Sequence, residues 1–214
     1  MRLSIYRFKP ILLLALIPTG LFGQIGSTKS ERLKGPVKTV ILKDDLGYAK
    51  VTVKSTFDRS GKLLSYDAYI SETDSLYLKL ELTYDADNRL IERKRHFRGE
   101  LTVFTYRYTE DGIFEDTYRA KESSTTTLQI ALNAYDQRVR EWSEGYEMKS
   151  SYDEDGLTQT MAFTDYCVMK MNNKVVERDA YGNWTNVEIL NQNCDGTPRE
   201  KSIKKTREII YWED

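Results

Sequence analysis

The sequence predicts an all-β protein: an antiparallel meander of repeated β-hairpins, coiled into an open barrel or a stacked hairpin array. Three observations predict it. A short turn motif, an aromatic followed by Asp, two polar residues and Gly, recurs along the chain. The segments between its copies alternate apolar and polar residues. No helical stripe follows the N-terminal leader, and beyond that leader only Pro36 and Pro198 remain. Both sit near ends of strand-like segments, which suits long uninterrupted sheet.

Six copies of the motif align on the aromatic position. They are Phe57-Asp58-Arg59-Ser60-Gly61, Tyr84-Asp85-Ala86-Asp87-Asn88, Tyr108-Thr109-Glu110-Asp111-Gly112, Tyr135-Asp136-Gln137-Arg138-Val139, Tyr152-Asp153-Glu154-Asp155-Gly156 and Arg178-Asp179-Ala180-Tyr181-Gly182. The anchors fall 17 to 27 residues apart, room for one strand–turn–strand unit per copy. An Asp at the head of a type I turn accepts the amide N–H two residues on, and Gly at the fourth position supplies positive φ. Such a turn, closed by a left-handed residue in a bulge, is a standard hairpin connection. Asn88 stands where the next most tolerant residue would, and Thr109 is a weaker acceptor than Asp. Val139 breaks the pattern, because a β-branched side chain is costly at positive φ, so the fourth copy is expected to turn differently.

The flanks read as strands. Leu76, Leu78, Leu80, Leu82 and Tyr84 alternate with polar neighbours, as do Val51, Val53 and Phe57. A period of two gives one dry face and one wet face. The anchor aromatics fall on the dry side, as core packing beside the turn. The closing segment "KSIKKTREIIYW" reads as a final strand whose Lys and Arg density suits a sheet edge.

The chain divides into residues 1–23, a cleaved signal peptide, and 24–214, one β domain. Arg2, Arg7 and Lys9 precede the apolar run Ile11 to Ile17 and a small-residue stretch ending at Gly23, the expected cleavage point. The apolar run is too short for the ~20 residues that span a bilayer, so no membrane span is expected after cleavage. Export places the protein in the periplasm of a Gram-negative cell or outside it. Without the leader, 29 basic residues face 33 acidic ones. This balance speaks against a nucleic-acid partner, which calls for a clustered basic excess. Cys167 and Cys194 are the only cysteines and, in an oxidising compartment, are expected to pair. They would face each other if the chain forms one hairpin about Ala180-Tyr181; a turn at Asn172-Asn173 would leave both thiols free.

The motif resembles the YD repeat of the Rhs and teneurin-type proteins, in which Tyr-Asp, two variable residues and Gly are followed by Asn or Arg and an apolar residue. Gly182-Asn183-Trp184 and Asn88-Arg89-Leu90 continue it in that way, and the similarity runs from about Lys34 to the C-terminus. The resemblance implies coiled strand–turn–strand units. In larger members these form a hollow β-shell, which six copies are too few to close. "LKGPVKTV", "YGNWTNVEI" and "REIIYW" also resemble small exported proteins of Gram-negative bacteria that have no known activity.

No catalytic constellation emerges. His96 is the single histidine, set in Arg93-Lys94-Arg95-His96-Phe97-Arg98, where alternation places Arg93 and Arg95 opposite Lys94 and His96. That segment reads either as a small anion-binding patch or as a solvated strand facing acids such as Glu81 and Glu100. Asp153-Glu154-Asp155-Gly156 lacks the further ligands of a calcium loop and is explained by its turn. P-loop, dinucleotide and nucleophile-elbow motifs are missing, and neither cofactor nor metal is expected. Aromatics are plentiful. Phe104, Tyr106 and Tyr108 project from one side of a strand, and with Trp142 and Trp184 they are the candidate binding residues. Such rows serve either as an exposed platform for sugars or proteins or as packing within the sheet. The expected function is an exported, envelope-associated, non-catalytic module that binds an envelope protein or glycan. The alternatives are a polysaccharide hydrolase using paired carboxylates and a purely structural or assembly protein.

Overall fold

In the computed structural model, residues 27, 29–45, 50–163, 167–199 and 202–213 are described. The expected signal peptide and its cleavage point at Gly23 lie outside them. The first half of the domain supplies β1 (Val37–Asp45), β2 (Lys50–Phe57), β3 (Leu63–Ile70), β4 (Ser75–Tyr84), β5 (Leu90–Phe97), β6 (Glu100–Thr109) and β7 (Gly112–Arg119). The second half supplies β8 (Ser124–Leu132), β9 (Arg138–Ser143), β10 (Tyr146–Tyr152), β11 (Thr158–Phe163), β12 (Cys167–Arg178), β13 (Trp184–Asn191) and β14 (Ile203–Tyr211). Each strand pairs antiparallel with its chain neighbours, and β1 pairs with β14, so the meander closes into a barrel. β14 is therefore no edge: it lies between β13 and β1, with Val40 opposite Ile209 and Val187 opposite Lys205. Its cations serve a closed ring, one of the ways a β protein removes its edges.

The recurring turns explain the hairpins atom by atom. Asp58 N–H donates to Lys62 O at 2.9 Å and Gly61 N–H to Asp58 O at 3.0 Å, while Asp58 Oδ1 accepts from Ser60 N–H and Lys62 N–H. The same four bonds recur at Asp85, Asp153 and Asp179. The fourth position has φ 84° at Gly61 and 60° at Asn88, so it needs Gly or a residue that tolerates the left-handed region. A register shift follows at Phe57, Tyr84, Tyr152 and Arg178, the bulge that such turns produce.

Two copies differ. Thr109 and Gly112 pair directly across a two-residue loop, and the Thr109 hydroxyl donates to Gly112 O at 3.2 Å. The fourth turn starts two residues before the aligned aromatic. Asn133 takes the Asp role, accepting from Tyr135 N–H and Gln137 N–H, and Asp136 takes the Gly role at φ 59°. Val139 thus lies inside β9 and never meets positive φ. A further turn of this type, Asn193 to Thr197, joins β13 to β14 at the opposite end of the barrel.

Three tyrosine hydroxyls bond successive units together. Tyr84 Oη donates to Leu63 O at 2.7 Å, Tyr108 Oη to Leu90 O at 3.0 Å and Tyr152 Oη to Arg138 O at 2.9 Å. Each acceptor is the first residue of the strand that follows a turn. The anchor ring thus packs inward and also satisfies a carbonyl at the barrel mouth.

The interior is filled by three apolar clusters and by charge. Val53, Phe57, Tyr66 and Leu78 pack at β1–β4; Leu90, Phe104, Tyr106 and Ile130 at β5–β8; Trp184, Val187 and Ile189 at β13. Leu76 departs from the expected stripe: a register shift between Ala68 and Tyr69 turns it outward, and Tyr77 packs edge-on against Phe97 instead. Asp44 pairs with Lys205 at 2.9 Å inside the wall.

A strap crosses the motif end. Lys34 N–H donates to Asn183 Oδ1 at 2.7 Å while Asn183 Nδ2 donates back to Lys34 O at 2.9 Å, so the Asn side chain imitates a strand neighbour. Fully buried Gln137 donates to Ser30 O and Gly156 O. Gly35, at φ 82°, lies so close to the Tyr181 ring that a Cβ would sit 2.7 Å from it. At the other end, Cys167 and Cys194 form a disulfide at the open end of the β12–β13 hairpin, whose turn lies at Asp179 to Gly182.

Candidate functional site

The outer face of the barrel is a charged lattice. Arg107 meets Asp116 at 2.8 Å, Arg140 meets Glu147 at 2.6 Å, and Lys79 and His96 share Glu81. Exposed pairs of this kind contribute about 0–1 kcal/mol each; their main effect is a hydrated surface. The exposed large apolar side chains, such as Leu64, Leu76, Tyr118 and Ile210, are spread over several strands.

Most of the sequence-predicted binding aromatics lie inside this wall. Phe104, Tyr106 and Trp184 are 8%, 4% and 6% exposed, so they make no platform on the outer surface. The strand alternation was right, but its aromatic face is the concave one. Trp142 is partly exposed, with the Arg140 guanidinium 4.3 Å from its ring centre. Tyr108 lines a hollow.

That hollow, about 310 Å³, lies at the motif end between the strap and the first two turns. Tyr84, Leu90, Tyr108 and Leu132 line it, together with polar groups from Lys29, Lys62, Asn88 and Arg89. The repeat builds it: the anchors Tyr84 and Tyr108 are held by their hydroxyl bonds, and the turn that precedes each in the chain delivers a cation beside its ring. Lys62 Nζ sits 5.1 Å from the Tyr84 ring centre and donates to Asn88 Oδ1 at 3.1 Å. The Arg89 guanidinium sits 5.1 Å from the Tyr108 ring and pairs with Asp85 at 2.8 Å. Lys29 and Asp136, 2.9 Å apart, link the strap to the fourth turn. The Asp85 carboxyl is held below its usual range by the Arg89 amide N–H and then by the Arg89 side chain. Burial pushes both tyrosine hydroxyls up, so they remain neutral donors. Gly61 and Asn88, singled out as turn residues, thus also line a concavity, a double role invisible without the strap.

A second hollow of about 470 Å³ opens where β11 and β12 diverge, since their pairing stops at Thr160 opposite Lys170. It is lined by Asp153, Glu154, Asp155, Asn173 and Arg178 among others. Its polar groups are largely engaged with one another. Arg178 grips Asp155 through both terminal nitrogens at 2.6 and 2.8 Å, which holds that carboxyl low, and Asn173 donates to Asp153. Aromatic side chains are missing from its described lining.

Among the described residues, no group of three or more His, Cys, Asp or Glu is placed to hold a metal ion. Compared with known proteins, the chain matches no family model, and no curated protein is similar enough to count as a relative.

Proposed function

We propose that the chain is an exported, envelope-associated, YD-repeat-like module that binds a glycan, without catalysis, in the hollow at the motif end. The observation that carries this reading is the composition of that hollow. An apolar floor of Tyr84, Leu90, Tyr108 and Leu132 lies under a polar rim of Lys62, Asn88 and Arg89. Sugars present C–H faces to aromatic and aliphatic floors and hydroxyls to a polar rim. The volume is at the lower end of the ~300–1,000 Å³ typical of ligand pockets.

The disulfide is compatible with an oxidising, extracytoplasmic setting, and no helix of the described residues is long and apolar enough to cross a membrane. The charged outer lattice supports a barrel standing in water, because a lipid-facing barrel needs an outward apolar band. A hydrolase needs one carboxyl kept protonated beside a second. Among the described residues, the carboxyl with a raised pKa is Glu31, which lines neither of these two hollows, and Asp155 is held ionised by Arg178. Assembly by strand pairing needs an open edge, which ring closure removes.

A glycan array followed by titration calorimetry tests the proposal. Binding of at least one glycan is expected to weaken tenfold or more in both Lys62→Ala and Arg89→Ala and to be unchanged in Trp142→Ala. Absence of saturable glycan binding, or loss only in Trp142→Ala, would overturn it.

A further inference from the structure

Inward-facing arginines on β5 and β9 meet a buried glutamate of β7, away from the hollow at the motif end. Arg93 and Arg138, 6% and 5% exposed, converge on Glu115 at 3.5 and 2.7 Å, and Arg138 also meets Glu141 at 2.7 Å. Burial alone would push the Glu115 carboxyl up, but Arg138 and Arg93 together hold it low. Arg95, two residues on, faces the same interior and is paired with no described carboxylate; it donates only to Thr102 Oγ1 at 3.3 Å. Burial holds the Arg95 guanidinium below its usual range, and Arg93 and Arg119 oppose its charge more strongly than Glu115 and Glu100 favour it.

Each guanidinium carries five N–H groups and no acceptor. Here the Nε–H groups of Arg93, Arg95 and Arg138 are all buried with no hydrogen-bond partner. Buried polar groups are normally satisfied, and leaving one orphaned costs about 1–3 kcal/mol, more when it is charged. Two of these three arginines are more than nine-tenths buried, so bulk water does not account for them. Phe104 forms the floor beneath, its ring centre 4.1 Å from the Arg93 guanidinium and 5.5 Å from that of Arg95. Thr102, 6% exposed, supplies a hydroxyl at the same level.

We propose that Arg93, Arg95 and Thr102, over Phe104, form an interior site for a small oxyanion, a carboxylate or phosphate, entering from the barrel end opposite the recurring turns. An oxyanion supplies acceptors to the unmet donors and offsets the repulsion among Arg93, Arg95 and Arg119. Arg95 retains partial exposure and lies next to Phe97, the last residue before the Arg98-Gly99 turn of that end. It is therefore the group that a solute would reach first. Glu115, which meets both Arg93 and Arg138, and Glu141, which meets Arg138, lie deeper, so Arg95 is the cation of the site that neither carboxylate engages.

Inorganic phosphate and citrate, titrated calorimetrically at constant ionic strength against chloride, are the probes. The full exported chain is expected to bind at least one of them saturably with 1:1 stoichiometry. Arg95→Gln should weaken that binding at least tenfold while leaving the far-UV spectrum unchanged. Preference for phosphate identifies a phosphoryl ligand, and preference for citrate a carboxylate. Phosphate and sulfate also stabilise proteins generally by exclusion from their surface. A thermal shift of equal size in wild type and Arg95→Gln, or no saturable heat with either probe, would therefore overturn the proposal. Thr102→Val is the second variant, expected to weaken binding less than Arg95→Gln; an Arg95→Gln protein that failed to fold would leave the wild-type titration and Thr102→Val to decide.

Discussion

Glu31 on the strap gives the fold a calculable pH dependence. Its carboxyl is pushed up from the usual 4.5 to about 7, because burial penalises the ionised form more than the Arg207 guanidinium favours it. Arg207 is itself pushed down to about 10 by burial, against the opposing attraction of Glu31. A carboxyl whose folded pKa is raised binds its proton more tightly in the folded state, so stability falls as pH rises from 4.5 and the loss is complete above about 7. At about 1.4 kcal/mol per pH unit, that rise costs the fold about 3 kcal/mol at pH 8. The residue keeps some exposed surface, so solvent screening reduces the cost to about 2 kcal/mol. Glu31→Gln keeps the shape and removes the ionisation. Urea unfolding followed by tryptophan fluorescence should give equal midpoints for variant and wild type at pH 4.5, and a variant about 2 kcal/mol more stable at pH 8. With a slope of ~1–3 kcal/mol per molar urea, the midpoint moves by roughly 1 M. The other ionisable groups are common to both proteins and cancel in the difference. Curves that stay parallel from pH 4.5 to 8 would refute the reasoning, because they would mean that Glu31 ionises as freely in the fold as in the unfolded chain.

Two further perturbations test the framework. Tyr152→Phe removes the hydroxyl that donates to Arg138 O at 2.9 Å; it should cost about 1 kcal/mol and lower Tm by roughly 2–4 °C in a calorimetric scan, and an unchanged Tm would show that this tie between units contributes nothing. Reducing Cys167–Cys194, which closes a span of 27 residues, should lower stability by about 3–4 kcal/mol in denaturant unfolding with and without reductant, whereas coincident curves would mean that the β12–β13 hairpin holds its open end without the bond.

How legible this was depended on range along the chain. The Asp-to-Gly corners are local chemistry. Asp58, Asp85, Asp153 and Asp179 all sit at reversals that the letters alone predict, and Val139 correctly marked the copy whose turn had moved. The disulfide followed once the hairpin turn was placed at Asp179 to Gly182, which puts both cysteines at its open end. Three features had no local signal. Closure of β1 on β14 joins the two ends of the domain, so a Lys- and Arg-rich strand resembled an edge. The strap has no periodicity and is recognisable only through distant partners such as Asn183 and Gln137. The phase of β4 changes at a bulge set by its neighbour, which exposed Leu76 and turned Tyr77 inward. The candidate hollow inherits these gaps: its tyrosines were visible as anchors, but the rim that makes it concave comes partly from the strap.

The harder ambiguity was which face of a strand is the inside, and its cause is the width of the ring. Fourteen strands spaced about 4.8 Å apart and tilted by about 40° make a circumference near 90 Å, hence a round section with a backbone diameter close to 30 Å. Valine and leucine side chains cannot span that gap from both walls. Longer side chains reach further into it, and among them arginine combines the greatest reach with donors that can meet carboxylates on neighbouring strands. Arg93, Arg138 and Arg207 take that role: Arg93 stacks on Phe104 and Arg207 on Trp184, and the three are tied to Glu115, Glu141 or the Trp184 carbonyl. In a narrow barrel Arg93-Lys94-Arg95-His96 would read as an exposed run. In a wide one, half of that run is the interior, and the buried guanidinium groups of Arg93 and Arg138 bring more donors than Glu115 and Glu141 meet. A charged interior with unmet donors is thus a consequence of strand count before it is a choice of ligand.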